Sequence, residues 1–101
     1  MELELRFFAT FRDAVGEKER VETFDDGSTV GDVLAALEDR YEGLEGQLLT
    51  DEDDRVTIRS QLSVLKNGRD VTHMEGPETE LDGGDRLSVF PPVAGGGERP
   101  E

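Results

Sequence analysis

The sequence predicts a single α+β domain: a mixed sheet of about five strands with one main helix packed on one face. Three observations carry this expectation. Glu2-Leu3-Glu4-Leu5-Arg6-Phe7 alternates charged and apolar residues with period two, so Leu3, Leu5 and Phe7 share one face of a strand. Val30, Val33, Leu34, Leu37 and Tyr41 recur at steps of three and four, which places them on one side of a helix. Short apolar runs at Gln61–Lys66 and Arg86–Phe90 are bounded by turn residues, the mark of further strands. One helix cannot cover both faces of a sheet, so the layers are two. With 101 residues there is room for one core, and no repeat or interdomain linker is visible.

The elements follow in order. After the first strand, Thr10 to Val15 suits a helical turn with Phe11 and Val15 on one side, ended by Gly16. Arg20 to Phe24 is a second strand of weaker alternation, and Asp25-Asp26-Gly27-Ser28 is a turn. Thr29 caps the main helix, with Asp32 in the acidic position of a capping box. Arg40 in the last turn and Gly43 just beyond are stop signals. Leu44 to Leu49 reads as a connector, and Thr50 to Ser60, with Asp51-Glu52-Asp53-Asp54, as an exposed loop. Asn67-Gly68 is a strong hairpin signal after the Gln61–Lys66 strand, with Arg69 to Thr72 returning. His73 to Gly84 reads as irregular. Arg86 to Phe90 is the last strand, stopped by Pro91-Pro92 because proline cannot donate to a ladder. The domain is therefore expected over 1–92, with 93–101 as a flexible glycine-rich tail.

Composition narrows function. Cysteine is absent, which excludes disulfides, thiolate metal sites and a cysteine nucleophile, and one histidine excludes multi-histidine zinc sites. A net charge of −14 argues against nucleic acid, whose phosphates need clustered Lys and Arg. No apolar run reaches the ~18 residues of a membrane span, and Met1-Glu2-Leu3-Glu4 does not begin a secretory signal, so a cytoplasmic protein is expected. The acidic balance, with only Lys18 and Lys66 among many arginines, is similar to that of proteins from halophiles that accumulate salt. In roughly 1 M salt the Debye length is about 3 Å, and such self-repulsion is largely screened.

No familiar catalytic constellation is present: there is no G-x-S-x-G elbow and no phosphate-binding Walker loop. His73 stands alone near a turn, and Asp51 to Asp54 lacks the glycine and final glutamate of a calcium loop. No bound cofactor or metal is expected. The C-terminus is more informative. A strand ends in Phe90, Pro91-Pro92 stiffens the exit, and Val93-Ala94-Gly95-Gly96-Gly97 follows. Prolines favour an extended path, and glycines let a narrow channel admit the backbone. Such a terminus can enter another enzyme's active site with a main-chain carboxylate as its reactive group. Composition alone fits a plain linker better.

The segments Leu5–Arg12, Ser28–Leu34, Val64–Arg69 and Leu81–Gly96 together resemble the sulfur carriers of the ubiquitin-like β-grasp superfamily. That group includes the small subunit of molybdopterin synthase (MoaD), the thiamine sulfur carrier (ThiS) and the haloarchaeal small archaeal modifier proteins (SAMPs). Its most specific part here is Gly84-Asp85-Arg86-Leu87-Ser88-Val89-Phe90-Pro91-Pro92-Val93-Ala94-Gly95-Gly96. The resemblance implies a ubiquitin-like β-grasp roll and a non-enzymatic modifier and sulfur carrier. The Gly96 carboxylate, presented with Gly95, would be adenylated by a ubiquitin-activating-type enzyme (MoeB/ThiF-like), which uses ATP and magnesium itself. The glycine would then be isopeptide-linked to target-protein lysines, or become a thiocarboxylate that donates sulfur for molybdenum cofactor (molybdopterin) synthesis or tRNA. A large subunit of molybdopterin synthase (MoaE-like) and a metal-dependent desampylating peptidase are further implied partners. Gly97-Glu98-Arg99-Pro100-Glu101 departs from the Gly-Gly ending, so removal of these residues is expected, with Gly96, or else Gly97, as the mature end.

Docking to the activating enzyme is expected through Phe8, Leu65 and Phe90 on the sheet face away from the helix, and through Pro91, Pro92, Val93 and Ala94. Lys18 and Lys66 are the candidate side-chain acceptors for self-conjugation. Two other readings stand: a dedicated small subunit of molybdopterin synthase, and a non-covalent β-grasp binding module.

Overall fold

In the computed structural model, which describes residues 1–92, the N-terminal alternation forms β1 (Glu2–Phe7). A short helix α1 (Ala9–Val15) follows and ends on Gly16, whose φ of 91° is a left-handed stop that a side chain would strain. The chain returns along β2 (Glu19–Thr23), antiparallel to β1. The main helix α2 (Val30–Arg40) starts as the sequence predicts. Thr29 Oγ1 accepts from the Asp32 N–H at 3.2 Å, and the Thr29 N–H donates to Asp32 Oδ2 at 3.0 Å, a complete capping box.

Next come a 3-10 turn at Glu42–Leu44, a hairpin of β3 (Leu49–Glu52) and β4 (Arg55–Ile58), and then β5 (Ser63–Lys66) and β6 (Arg69–Asp70). Two more 3-10 turns, Val71–His73 and Gly76–Glu78, lead to β7 (Arg86–Phe90). The main sheet has the order β2-β1-β7-β5-β6. The β1 and β7 strands run parallel at its centre, and the other pairings are antiparallel. Leu3, Leu5, Phe7, Leu87, Val89 and Val64 line one face, and α2 lays Val30, Val33, Leu34 and Leu37 across it. Leu44, Leu48, Val71 and Leu81 close the ends of this core.

Four expectations are corrected. Residues 50–60 are not a loop but the β3–β4 hairpin. It turns on Asp53 and Asp54, both left-handed (φ 51° and 63°). The Glu38 carboxylate of α2 accepts the Leu48 and Leu49 N–H groups at 2.8 and 2.9 Å, so the helix fixes where the hairpin starts. The helix α2 ends at Arg40 as expected, but its cap is Tyr41 and Gly43 takes no part in it. The lack of a side chain at Gly43 serves packing instead, because a Cβ there would come within 2.7 Å of the Ala14 Cβ. The return strand β6 is only two residues long, and Val71 to His73 tightens into a 3-10 turn. The segment His73 to Gly84 is not wholly irregular, since it holds the Gly76–Glu78 turn and a bridge between Thr29 and Glu80.

A candidate docking face and C-terminal exit

Because β1 and β7 are parallel neighbours, both end at the same rim of the sheet. Phe7 is the last core residue of β1 and pairs with Val89. Phe8, still extended at φ −131° and ψ 151°, faces away from the core by the strand's alternation. Phe90, next after Val89, faces the same way. The two half-buried rings stack with centroids 4.1 Å apart and planes 6° from parallel. Leu65 is half-buried, pairs with Ser88 and lies on this face, two positions down the neighbouring strand from Phe90's partner Ser63. The rim thus gathers Phe8 and Phe90, with Leu65 behind them. Pro91 is half-buried and Pro92 exposed, and with them the ladder stops. Val93, Ala94, Gly95 and Gly96 lie outside the described residues, as does Gly97.

Charge frames this patch. Glu4 is 3.2 Å from Arg6 and 3.3 Å from Arg86, and Arg6 is also 3.2 Å from Glu19. These carboxylates and guanidiniums neutralise one another along the middle of the face, so the aromatic pair stands at the end of a compensated strip.

The two lysines differ. Lys18 is exposed at the entrance to β2, where its carbonyl accepts the Phe7 N–H at 2.8 Å. Lys66 is largely covered, donates from Nζ to the Glu80 carbonyl at 3.0 Å and lies 3.7 Å from Asp85. Burial pushes the Asp85 carboxyl up, yet the Asp82 N–H, the Asn67 amide and Lys66 together hold it below its ordinary value. His73 is exposed. Among the described residues no group of acidic and histidine side chains is placed to hold a metal, and no helix is long and apolar enough to cross a membrane.

Another charged centre was not foreseen. The Glu22 carboxylate on β2 receives Tyr41 Oη, Arg20 and Arg40, and Arg40 also lies over the Phe24 ring, 4.8 Å from its centre. Burial pushes the Glu22 carboxyl up, but the three hydrogen bonds outweigh it and hold the group below the usual carboxylate range. The same arrangement raises the Tyr41 phenol, first by burial and then by the bond to Glu22. Also missed were the exposed apolar residues Val21 (64%) and Val56 (57%), since one lies in a weakly alternating strand and the other in the supposed loop.

Comparison with known proteins matches the ThiS family across residues 5–96. The chain belongs to the ThiS family. Small archaeal modifier protein 3 of Haloferax volcanii is 56% identical over 96 residues, covering 95% of this chain and all of that protein. The sulfur carrier protein CysO of Mycobacterium tuberculosis is 31% identical over 70 residues, 69% of this chain and 74% of the relative. The solution structure of the Haloferax volcanii HVO 2177 protein superposes with a TM-score of 0.83 at 57% identity, covering 95% of this chain and 87% of that one. The fold of this ThiS-family member is the ubiquitin-like β-grasp. Its relatives are named as a small archaeal modifier protein and a sulfur carrier protein.

Proposed function

We propose that this protein is a ubiquitin-like modifier and sulfur carrier that works through the carboxylate of Gly96. The observation that carries the reading is the placement of β7. The central strand of the sheet ends at the Phe8–Phe90 patch, and the Gly-rich segment follows directly after Pro91-Pro92. In this reading a ubiquitin-activating-type enzyme docks on Phe8, Phe90 and Leu65 and takes Pro91 to Gly96 into its active site. Gly95 and Gly96 supply a backbone without side chains, which a narrow channel requires.

The chemistry needs a free carboxylate, and Gly96 is followed by Gly97 in an amide bond. A peptidase of the metal-dependent desampylating type therefore hydrolyses that bond first. The Gly96 carboxylate then attacks the α-phosphate of ATP, and pyrophosphate leaves. The ATP and magnesium belong to the activating enzyme. A lysine amine of a target protein displaces AMP to form an isopeptide bond, or hydrosulfide displaces AMP to form a thiocarboxylate. The thiocarboxylate passes its sulfur to a molybdopterin precursor on a MoaE-like subunit, or to tRNA. Exposed Lys18 is the better placed of the two lysines for self-conjugation, because the Lys66 amine is already hydrogen-bonded.

The test is the intact mass of the protein recovered from its own cells, with its C-terminal peptide sequenced. The expected chain ends at Gly96, part of it carrying sulfur in place of one carboxylate oxygen. Gly96→Val should abolish both the thiocarboxylate and high-mass conjugates. Conjugates that persist with Gly96→Val would overturn the carboxylate mechanism.

A further inference from the structure

On the side of the molecule away from the aromatic rim, the β3–β4 hairpin stands beside the first turn of α2 and the Gly76–Glu78 turn. In the ladder Leu49 pairs with Ile58 and Asp51 with Val56, so Leu49, Ile58 and Val56 share one face of the hairpin. Leu49 and Ile58 pack against the core, and Val56 carries the same apolar stripe out of it, 57% exposed. Pro77 of the Gly76–Glu78 turn borders the same space as Val56. The two line both of the adjoining cavities in this region, of about 390 and 310 Å³. The floor is tight where α2 meets the turn, since a Cβ on Gly31 would lie 3.0 Å from the Pro77 carbonyl oxygen. The rim is acidic. Glu52, Asp53, Glu75 and Glu78 line it, and the basic side chain there, Arg55, is 3.7 Å from Glu78 in an exposed pair.

We infer that this groove docks a short basic segment of a partner protein, with one apolar side chain seated between Val56 and Pro77 and Lys or Arg on both flanks. Two features choose this occupant. The apolar stripe runs from the core out to Val56, so an apolar side chain lying in the groove would meet an apolar surface there. The carboxylates around it would repel an acidic segment and pair with a basic one. A second copy of this acidic chain would bring the same rim against itself.

The probe is a short fluorescein-labelled peptide with one Phe flanked on both sides by Arg, added to the full-length chain. Expected are saturable anisotropy changes and shifts in the amide signals of Gly31, Val56, Thr57 and Glu78, while those of Phe8 and Phe90 stay in place. Val56→Ser, which removes the aliphatic contact and adds no charge, should weaken binding about tenfold. Glu78→Lys should weaken it further as salt is lowered. Both positions are exposed, so neither variant disturbs the core. Equal binding by a peptide with Ser in place of Phe, or by the Val56→Ser chain, would overturn the inference and leave only diffuse attraction to an acidic surface. So would self-association abolished by Val56→Ser, which would assign the groove to a second copy.

Discussion

On the helix side of the five-stranded sheet, Leu3, Leu5, Phe7, Leu87 and Val89 are buried against α2. On the other side the same strands present Glu4, Arg6, Arg86, Ser88, Phe8 and Phe90. The two faces are built from alternate residues of one chain, yet they obey different physics. The inner face is held by removal of apolar area from water, worth about 25 cal/mol per Å². The outer face is held by partly exposed ion pairs, each worth about 0–1 kcal/mol, and ends in an aromatic pair only half-covered. A β-grasp domain of this kind can therefore vary its outer face for partners with little cost to folding. The adjacent residues Phe7 and Phe8 state the contrast within one dipeptide.

The largest effect that would sharpen this contrast is on the inner face. Phe7→Ala removes a fully buried ring from the centre of the core and should destabilise the domain by about 3–5 kcal/mol in denaturant titration. A smaller loss would mean that the core relaxes around the cavity.

Next is the seam between β2 and α2. Glu22→Gln removes the charge that gathers Tyr41, Arg20 and Arg40, and should cost about 1–3 kcal/mol. Its folded-state pKa lies below the ordinary 4.5, so folding favours the ionised form. The stability it contributes is complete above 4.5 and is lost as pH falls through the lower folded-state value. Asp70, held down by the Thr72 N–H and hydroxyl, and Asp85 act in the same direction. Acid unfolding followed by circular dichroism should begin below pH 4.5 and be shallower in Glu22→Gln. An identical acid limb in the variant would exclude Glu22 as a source.

The smallest stability effect belongs to the outer face. Phe90→Ala removes one ring of the stacked pair and should cost only about 0.5–1.5 kcal/mol beyond its modest burial. In the proposed function it should nevertheless abolish most adenylation by the activating enzyme, measured as pyrophosphate release. A Phe90→Ala chain that is activated normally would remove the aromatic pair from the docking surface and break the division of labour between the faces.

The two β-hairpin turns explain what was legible. Asn67-Gly68 announces itself, because both central residues of this turn need positive φ (52° and 85° here) and glycine adopts it without strain. Asp53-Asp54 adopts nearly the same geometry, but an acidic run reads equally well as a solvated loop. What holds it as a hairpin is distant in sequence: the Glu38 carboxylate binding Leu48 and Leu49, and the packing of Leu49 and Ile58. Gly43 teaches the same point. Its place after the helix looked like punctuation, and its function is to let Ala14 approach.

By itself, then, the sequence determined the alternation of β1, the capped amphipathic helix, the Asn-Gly turn, the last strand and the Phe-Pro-Pro-Val-x-Gly-Gly run that follows it. All of these are short-range signals, set by side-chain period and local backbone preference. Only the tertiary structure decided that β1 and β7 end side by side, that Phe8 therefore meets Phe90, that Lys66 is tied to Glu80 while Lys18 is exposed, and that Val56 borders an acidic groove. Those outcomes depend on which strands pair and in what register. Register is settled by the burial of the whole core, which no short stretch of sequence contains.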